Sequence, residues 1–263
     1  MAVRRIALTR AVSSALERCE LTHLERQPID LGRARAQHAA YEAALEALGC
    51  EVVRLPEEPE LPDSVFVEDT ALVLDEIAIL TRPGAESRRA ETAAVREALA
   101  AWRPLAGLAA PATLDGGDVL RVGRRLYVGS STRSNAAGIA QLQALVEPLG
   151  YTVEGVPIQG CLHLKSAVTE VGPGLLLLNA AWVNPRAFTD CGVLEVHRDE
   201  PFAANALRIG DVLLFPQAFP RTRARLEKHG LAVRTVDVSE LAKAEGAVTC
   251  CSLIVELSDV SRS

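Results

Sequence analysis

The chain has 263 residues, 49% of them hydrophobic, enough to bury a sizeable core in one large or two small α/β domains. Its formal charge of -6, with Lys and Arg scattered rather than blocked, argues against a nucleic-acid footprint or a polybasic membrane patch and for a small-molecule or protein partner. No apolar run approaches the roughly 18 residues that span a bilayer, and the arginines of MAVRRIALTR have no apolar signal region behind them, so a cytoplasmic location is expected.

In chain order, RIALT near residue 6 reads as a strand. ARAQHAAYEAALEALG follows with helical periodicity and a stop at Gly49, then CEVVRL (50–55) as a second strand. TALVLDEIAIL (70–80) reads as a strand pair, RRAETAAVREALAAW as a helix, DVLRVGRRLYVG (118–129) as a second pair and NAAGIAQLQALVEPLG as a helix ending at Gly150. SAVTEVGPGLLLLN (166–179), GVLEVH (192–197) and ALRIGDVLLFP (206–216) continue the strands. TRARLEKHG is a helix stopped at Gly230, LAVRTVDV (231–238) and SLIVEL (252–257) are strands, and SDVSRS (258–263) is an expected disordered tail. The six cysteines (Cys19, Cys50, Cys161, Cys191, Cys250 and Cys251) are spread through a chain that needs no staples, which fits reduced thiols.

A finer pattern recurs: a polar cluster, an apolar strand, a tight turn and a second apolar strand. The clusters are VEDT before TALVL, LDGGD before VLRVG, HLKSA before VTEVG and AAN before ALRIG, with CCS before LIVEL as a fifth. Their spacing of about 40 to 50 residues is that of one repeated ββα-type unit. Five units in a ring would bring the cluster at each first-strand entrance onto one axis. There they would gather Glu68, Asp69, Asp115, Asp118, His163, Asn205 and Cys250.

A thiol and a histidine together suit nucleophilic catalysis. Acids around a thiol raise its pKa, so this set works only if the substrate is a cation that the acids hold. A guanidinium fits, being planar, always charged and matched to carboxylates. Arg82 of LTRPGAESRR and Arg133 of SSTRSNAAG, at equivalent places in successive units, would then meet a substrate carboxylate. Other readings stay open at this level. DGGD alone is a tight turn, Asn135 of NAAG a helix cap, and Cys161 with His163 and the paired cysteines a weak zinc pattern. Of the adjacent thiols, strand alternation lets one face the axis while the other packs into the blade.

PDSVFVEDTA (62–71), LTRPGAESRR (80–89), DGGD (115–118), RSNAAG (133–138), LHLKSA (162–167) and GAVTCCSL (246–253) resemble the dimethylarginine dimethylaminohydrolase family of the guanidino-modifying superfamily. The likeness runs from about Arg5 to Leu257. It implies an α/β fold, a five-bladed α/β-propeller of pseudo-symmetric ββαβ units, as a single catalytic domain over 1–263. It implies Cys250 as nucleophile and His163 as acid and base, with Asp69 and Asp115 holding the guanidinium. Glu68 and Asp63 would add polar contacts, Phe66 a wall, Arg82 and Arg133 the α-carboxylate clamp, and backbone carbonyls of Leu21 and Ala244 the α-amino contacts. Methylated arginine would be hydrolysed to citrulline through a covalent S-alkylthiouronium, without metal or organic cofactor. No nucleic-acid or membrane partner is implied, and the oligomeric state, a homo-oligomer included, stays open.

The sequence departs from the family where Asp115 replaces the Glu of some bacterial relatives, where Ala244 is smaller than the usual branched residue, and where Cys251 takes a place often held by Met. Arginine deiminase shares the chemistry but usually carries an added helical domain for which this chain has no room. Amidinotransferases are likewise usually longer, and a non-catalytic arginine-analogue-binding regulatory relative is the rival from another class.

Overall fold

The computed structural model describes residues 3–258. Strand β1 (Val3–Arg10) leads through helix α1 (Leu31–Ala47) to β2 (Cys50–Leu55), which lies parallel to it. Asp30 starts α1 by accepting a hydrogen bond from Arg33 N at 3.0 Å. Gly49 ends it with a φ of 86°, a conformation that costs other residues a steric clash at Cβ.

The chain then repeats one plan. Hairpin β3 (Ala71–Val73) and β4 (Ala78–Leu80) is followed by helix α2 (Thr92–Leu99) and by β5 (Leu105–Gly107), which returns parallel to β4. The next unit is β6 (Val119–Val122), β7 (Arg125–Ser130), α3 (Ala136–Val146) and β8 (Thr152–Pro157). A single turn, α4 (Leu164–Ala167), opens the unit of β9 (Val168–Gly172), β10 (Leu175–Leu178) and β11 (Gly192–Glu195). The fourth unit is β12 (Leu207–Ile209), β13 (Val212–Pro216), α5 (Pro220–Lys228) and β14 (Ala232–Val236). After α6 (Ser239–Ala242), β15 (Leu253–Ser258) pairs antiparallel with β1, so the fifth sheet, β15-β1-β2, is built from both ends of the described chain.

Five three-stranded sheets with this connectivity make the expected five-bladed α/β-propeller. Its pseudo-symmetry breaks in the third blade, where residues 179–191 join β10 to β11 with a 3-10 turn at Pro185–Ala187 instead of an outer helix. Pro185 removes a backbone donor, and the segment is barely long enough for a parallel crossover. Strands β5 and β8 were not expected from the pattern: β5 is three residues long, and β8 contains Gly155 and ends in Pro157, residues that mark loops elsewhere. Of the expected tail, Ser258 ends β15 and 259–263 lie outside the described residues. No helix among the described residues is long and apolar enough to cross a membrane.

The middle strands explain why the sequence shows unbroken apolar runs. Side chains alternate across a strand, and each face of a middle strand is covered by a neighbouring blade. Ile6 and Leu8 of β1 pack with Ala78 and Leu80 of β4, while Ala7 packs on the other side with Leu214 of β13. Ile79 joins Leu126 and Val128 of β7, Tyr127 joins Leu176 and Leu178 of β10, and Leu177 joins Leu213 and Phe215. Five cores thus sit between five blades, each shared by two.

Leu8 is wholly buried in the strand that closes the ring, whereas Val3 at the start of the same strand is 42% exposed. Leu8→Ala is expected to lower unfolding stability by about 2–5 kcal/mol in a urea titration, and Val3→Ala by no more than about 0.5 kcal/mol.

Candidate active site

The entrances to the first strands converge, as the repeat requires, and close contact there demands glycine. A Cβ on Gly116 would lie 2.0 Å from Glu68 O, and one on Gly117 would lie 2.7 Å from both Asp69 Oδ1 and His163 Nδ1. The DGGD glycines therefore serve close approach between units, beyond any turn preference. One cavity at this convergence is lined by Asp63, Phe66, Asp69, Arg133, His163 and Cys250, with Arg88, Leu162, Ala244, Glu20 and Glu245 completing its wall. Gly246 leaves room for the Phe66 wall, because a Cβ there would sit 2.2 Å from the ring.

Cys250 and Cys251 lie in a turn just before β15, not within the strand. Their side chains still part: Cys250 lines the cavity, and Cys251 is wholly buried in a core, its thiol directed at Ala247 O. The loop is anchored from outside by Tyr41 of α1, whose hydroxyl donates to Val248 O at 2.8 Å.

His163 sits between carboxylates. Its Nε2 is 3.0 Å from Asp115 Oδ2, and its Nδ1 is 3.8 Å from Asp69 Oδ1. Burial works to lower its pKa, but Asp69, then the hydrogen bond to Asp115, and Asp118 overcome that and raise it to about 9. Burial would conversely raise the Asp69 pKa. The charges of His163 and Arg88, with hydrogen bonds from Arg88 Nη1 (2.6 Å) and Gly117 N (3.0 Å), instead lower it to about 2. Desolvation, then Glu68 and Asp69, push the Cys250 thiol well above its ordinary value. These surroundings favour the imidazolium of His163 and disfavour the thiolate of Cys250.

Several expected site residues lie elsewhere. Asp115 is fully buried and does not line the cavity; its oxygens hold His163 and accept from Gly84 N at 2.8 Å, so it backs the histidine and cannot touch a guanidinium there. Glu68 turns away into a second axial cavity lined by all five first strands, paired with Lys165 Nζ at 2.5 Å and accepting from Thr249 Oγ1 at 2.8 Å. Asn205 joins that network through Thr249 and Lys165 O. Leu21 is half-buried against the core beside the cavity rather than lining it.

Arg82 is outside as well. Its guanidinium donates to Ala112 O and its backbone bridges to Leu114, so it ties the first unit to the second. The cavity arginine that sequence reasoning missed is Arg88, in the same LTRPGAESRR motif. It is buried, with Glu91 Oε2 at 2.8 Å and Asp69 Oδ2 at 2.6 Å. Its spacing from Glu91 reads in sequence as a solvated i,i+3 pair. Asp118, also gathered on the axis, is wholly buried and accepts from Leu164 N at 3.0 Å, fixing the start of α4.

The cysteines expected as a weak zinc set do not converge, since Cys161 directs its thiol at His163 O and Cys251 at Ala247 O. Asp69, Asp115 and His163 are close enough to hold an ion. Their oxygens and ring nitrogens are instead engaged with one another, with Arg88 and with backbone N–H groups.

Fold and site define a class, the α/β-propeller enzymes of the guanidino-modifying superfamily, with a cysteine and a carboxylate-backed histidine meeting at the blade entrances. A sequence model described as "N,N dimethylarginine dimethylhydrolase, eukaryotic" matches residues 20–183. N(G),N(G)-dimethylarginine dimethylaminohydrolase of Streptomyces coelicolor is 43% identical over 256 residues, covering 94% of this chain and 95% of that protein. The enzyme of that name from Pseudomonas aeruginosa is 37% identical over 85% of this chain and 89% of its own. The chain belongs to the dimethylarginine dimethylaminohydrolase family. A solved structure of the Pseudomonas aeruginosa enzyme, a cysteine-to-serine mutant complexed with citrulline, superposes with a TM-score of 0.91 at 34% identity, covering 97% of this chain and all of that one. The N-terminal domain of a cyanobacterial arginine dihydrolase shares the fold at 18% identity, with a TM-score of 0.83 over 96% of this chain and 98% of that one.

Because the folded-state pKa of His163 is raised from an ordinary 6.5 to about 9, its stabilising contribution is fully present below 6.5 and is lost as pH rises through about 9. Asp115→Asn is expected to lower the His163 pKa in an NMR titration and to shrink the fall in urea-unfolding stability across that window.

Proposed function

We propose that this chain hydrolyses Nω-methylated arginine to citrulline and a methylamine, acting as one catalytic domain. The observation that carries the reading is a single cavity in which Cys250 and His163 meet four acids, Asp63 and Asp69 among them, and two guanidinium groups, Arg88 and Arg133. Such a lining complements an amino acid with a cationic side chain: the acids suit its guanidinium, and the arginines suit its α-carboxylate. Backbone carbonyls of Leu21 and Ala244 are the proposed partners of its α-amino group.

A free Cys250 thiol is held protonated by burial and by neighbouring acids. A bound guanidinium offsets those acids, the thiol proton passes to solvent, and the thiolate attacks the guanidinium carbon. His163 enters as imidazolium, with Nε2–H engaged by Asp115. Nδ1–H gives its proton to the departing methylamine as the C–N bond breaks, leaving a covalent S-alkylthiouronium on Cys250. The neutral imidazole then takes a proton from water as the oxygen attacks the same carbon, and the C–S bond breaks to restore the thiolate as citrulline leaves, the remaining hydroxyl proton passing to solvent. Asp115 is a positioning residue, and Asp69 orients substrate beside the sulfur.

Citrulline formation from asymmetric dimethylarginine and from arginine, measured side by side, tests the reading. Turnover of the methylated substrate is expected, falling at least about a thousandfold in Cys250→Ser and little in Cys251→Ser. Turnover of arginine alone would make the protein a compact deiminase, and silence on both would favour a binding protein. Arg133→Ala is expected to raise KM for asymmetric dimethylarginine at least about tenfold, and far less for an analogue lacking the α-carboxylate, whereas Arg82→Ala shifts KM less than about twofold.

A further inference from the structure

Residues 20–24 form a loop beside the cavity, and one side chain satisfies three of its successive backbone donors. The Glu245 carboxylate accepts from Thr22 N at 3.1 Å, His23 N at 2.6 Å and Leu24 N at 2.7 Å. These bonds are charge-assisted, a class about twice as strong as neutral ones. Glu245 also lines the cavity next to Ala244, and it adopts a φ of 58°, in the left-handed region that favours glycine. A strained glutamate persists where its surroundings hold it in place, and here the loop amides do so.

Besides Ser87 Oγ, which donates to Glu20 Oε1 at 2.7 Å, two further attachments of the loop end on groups of the proposed substrate site. Glu20 N donates to Asp63 Oδ2 at 3.0 Å, and Arg133 Nη2 donates to Thr22 Oγ1 at 3.2 Å. Those two acceptor and donor groups are ones a substrate would compete for. The Glu245 carboxylate, by contrast, is bonded to loop amides alone. We infer that Glu245 is a positioning residue that latches the 20–24 loop over the cavity, and that this latch sets substrate affinity. The kinetic half of the inference rests on reading the cavity as the methylarginine site.

Without the carboxylate, three amides turn to water and the loop lifts, taking Glu20 from the wall and the Leu21 carbonyl from the proposed α-amino contact. Cys250, His163 and Asp115 stand on blade entrances and keep their places. The loss therefore falls on binding and spares the chemical step, which separates a latch from general unfolding.

The test compares backbone amide hydrogen exchange and steady-state kinetics in the wild type, Glu245→Gln and Glu245→Gly. The glycine variant removes the carboxylate and also relieves the φ of 58°, so the fold is retained. In it, the amides of residues 22–24 are expected to exchange at least about tenfold faster while those of β1 and β7 are unchanged, with KM up about tenfold and kcat within about twofold. Glu245→Gln, keeping one acceptor oxygen, is expected to fall between. Exchange at 22–24 that is as fast in the wild type as in the glycine variant would overturn the latch, as would faster exchange with an unchanged KM or an equal fall in kcat. Exchange alone decides the latch if the wild type turns over no methylarginine, so the two readings fail separately.

Discussion

The pairing of β15 with β1 is the constraint on which the rest depends. Residues 253–258 bond to residues 3–8 across nearly the whole length of the sequence, and the blade they form closes the ring. Cys250 stands at the entrance to β15, so it reaches the axis only once that pairing is made. Its carbonyl then accepts from Glu68 N, which joins the last blade entrance to the first at the site itself. Closure and assembly of the site are one event. A ring held by pairs of strands from opposite ends of the chain pays a large loop-closure entropy, and the five shared cores supply the offset, because each middle strand contributes buried side chains to two of them.

Within that frame, the charges at the axis are stable only as a chain of alternating sign. Glu91, Arg88, Asp69, His163 and Asp115 follow one another through contacts of 2.8, 2.6, 3.8 and 3.0 Å. Removing Arg88 or His163 would leave a buried carboxylate at one end, Glu91 or Asp115, without its partner in the chain, a change that costs about 3–5 kcal/mol in buried pairs. Burial even pushes Glu91, at the outer end, up to about 7 despite Arg88 beside it. Burial, then Glu68 and Asp69, disfavour the thiolate of Cys250, and burial likewise disfavours the carboxylate of Asp63 in the same cavity. In the proposed reaction, arrival of a cationic substrate is what offsets those acids at the thiol.

What was legible in the sequence follows from the same geometry. Apolar runs such as LLLL at 175–178 declare strands buried on both faces, and the recurring polar cluster before each first strand declares a shared axis. Edge position alone does not hide a strand, since β2, β11 and β14 are edges too; β5 was illegible because it is three residues long, and β8 because Gly155 and Pro157 interrupt it. The cluster marks an entrance and does not say which way each residue in it points. Glu68 and Asp69 are adjacent, yet one lines the axial cavity with Lys165 and the other the catalytic cavity with His163.

The arginines carry that argument to its end. Arg82 and Arg133 occupy equivalent places after successive hairpins, and pseudo-symmetry made them a pair. Equivalent places in a repeat guarantee equivalent backbone, and the backbone of Arg82 is in fact used, bridging to Leu114 at the seam between units. A side chain serves that seam or the cavity, not both. The guanidinium that lines the cavity with Arg133 comes instead from Arg88, on the 3-10 turn leading into α2, where Glu91 one turn later holds it inward. Symmetry in a repeated sequence thus locates the entrances, and the departures from symmetry between blades decide which side chain works there.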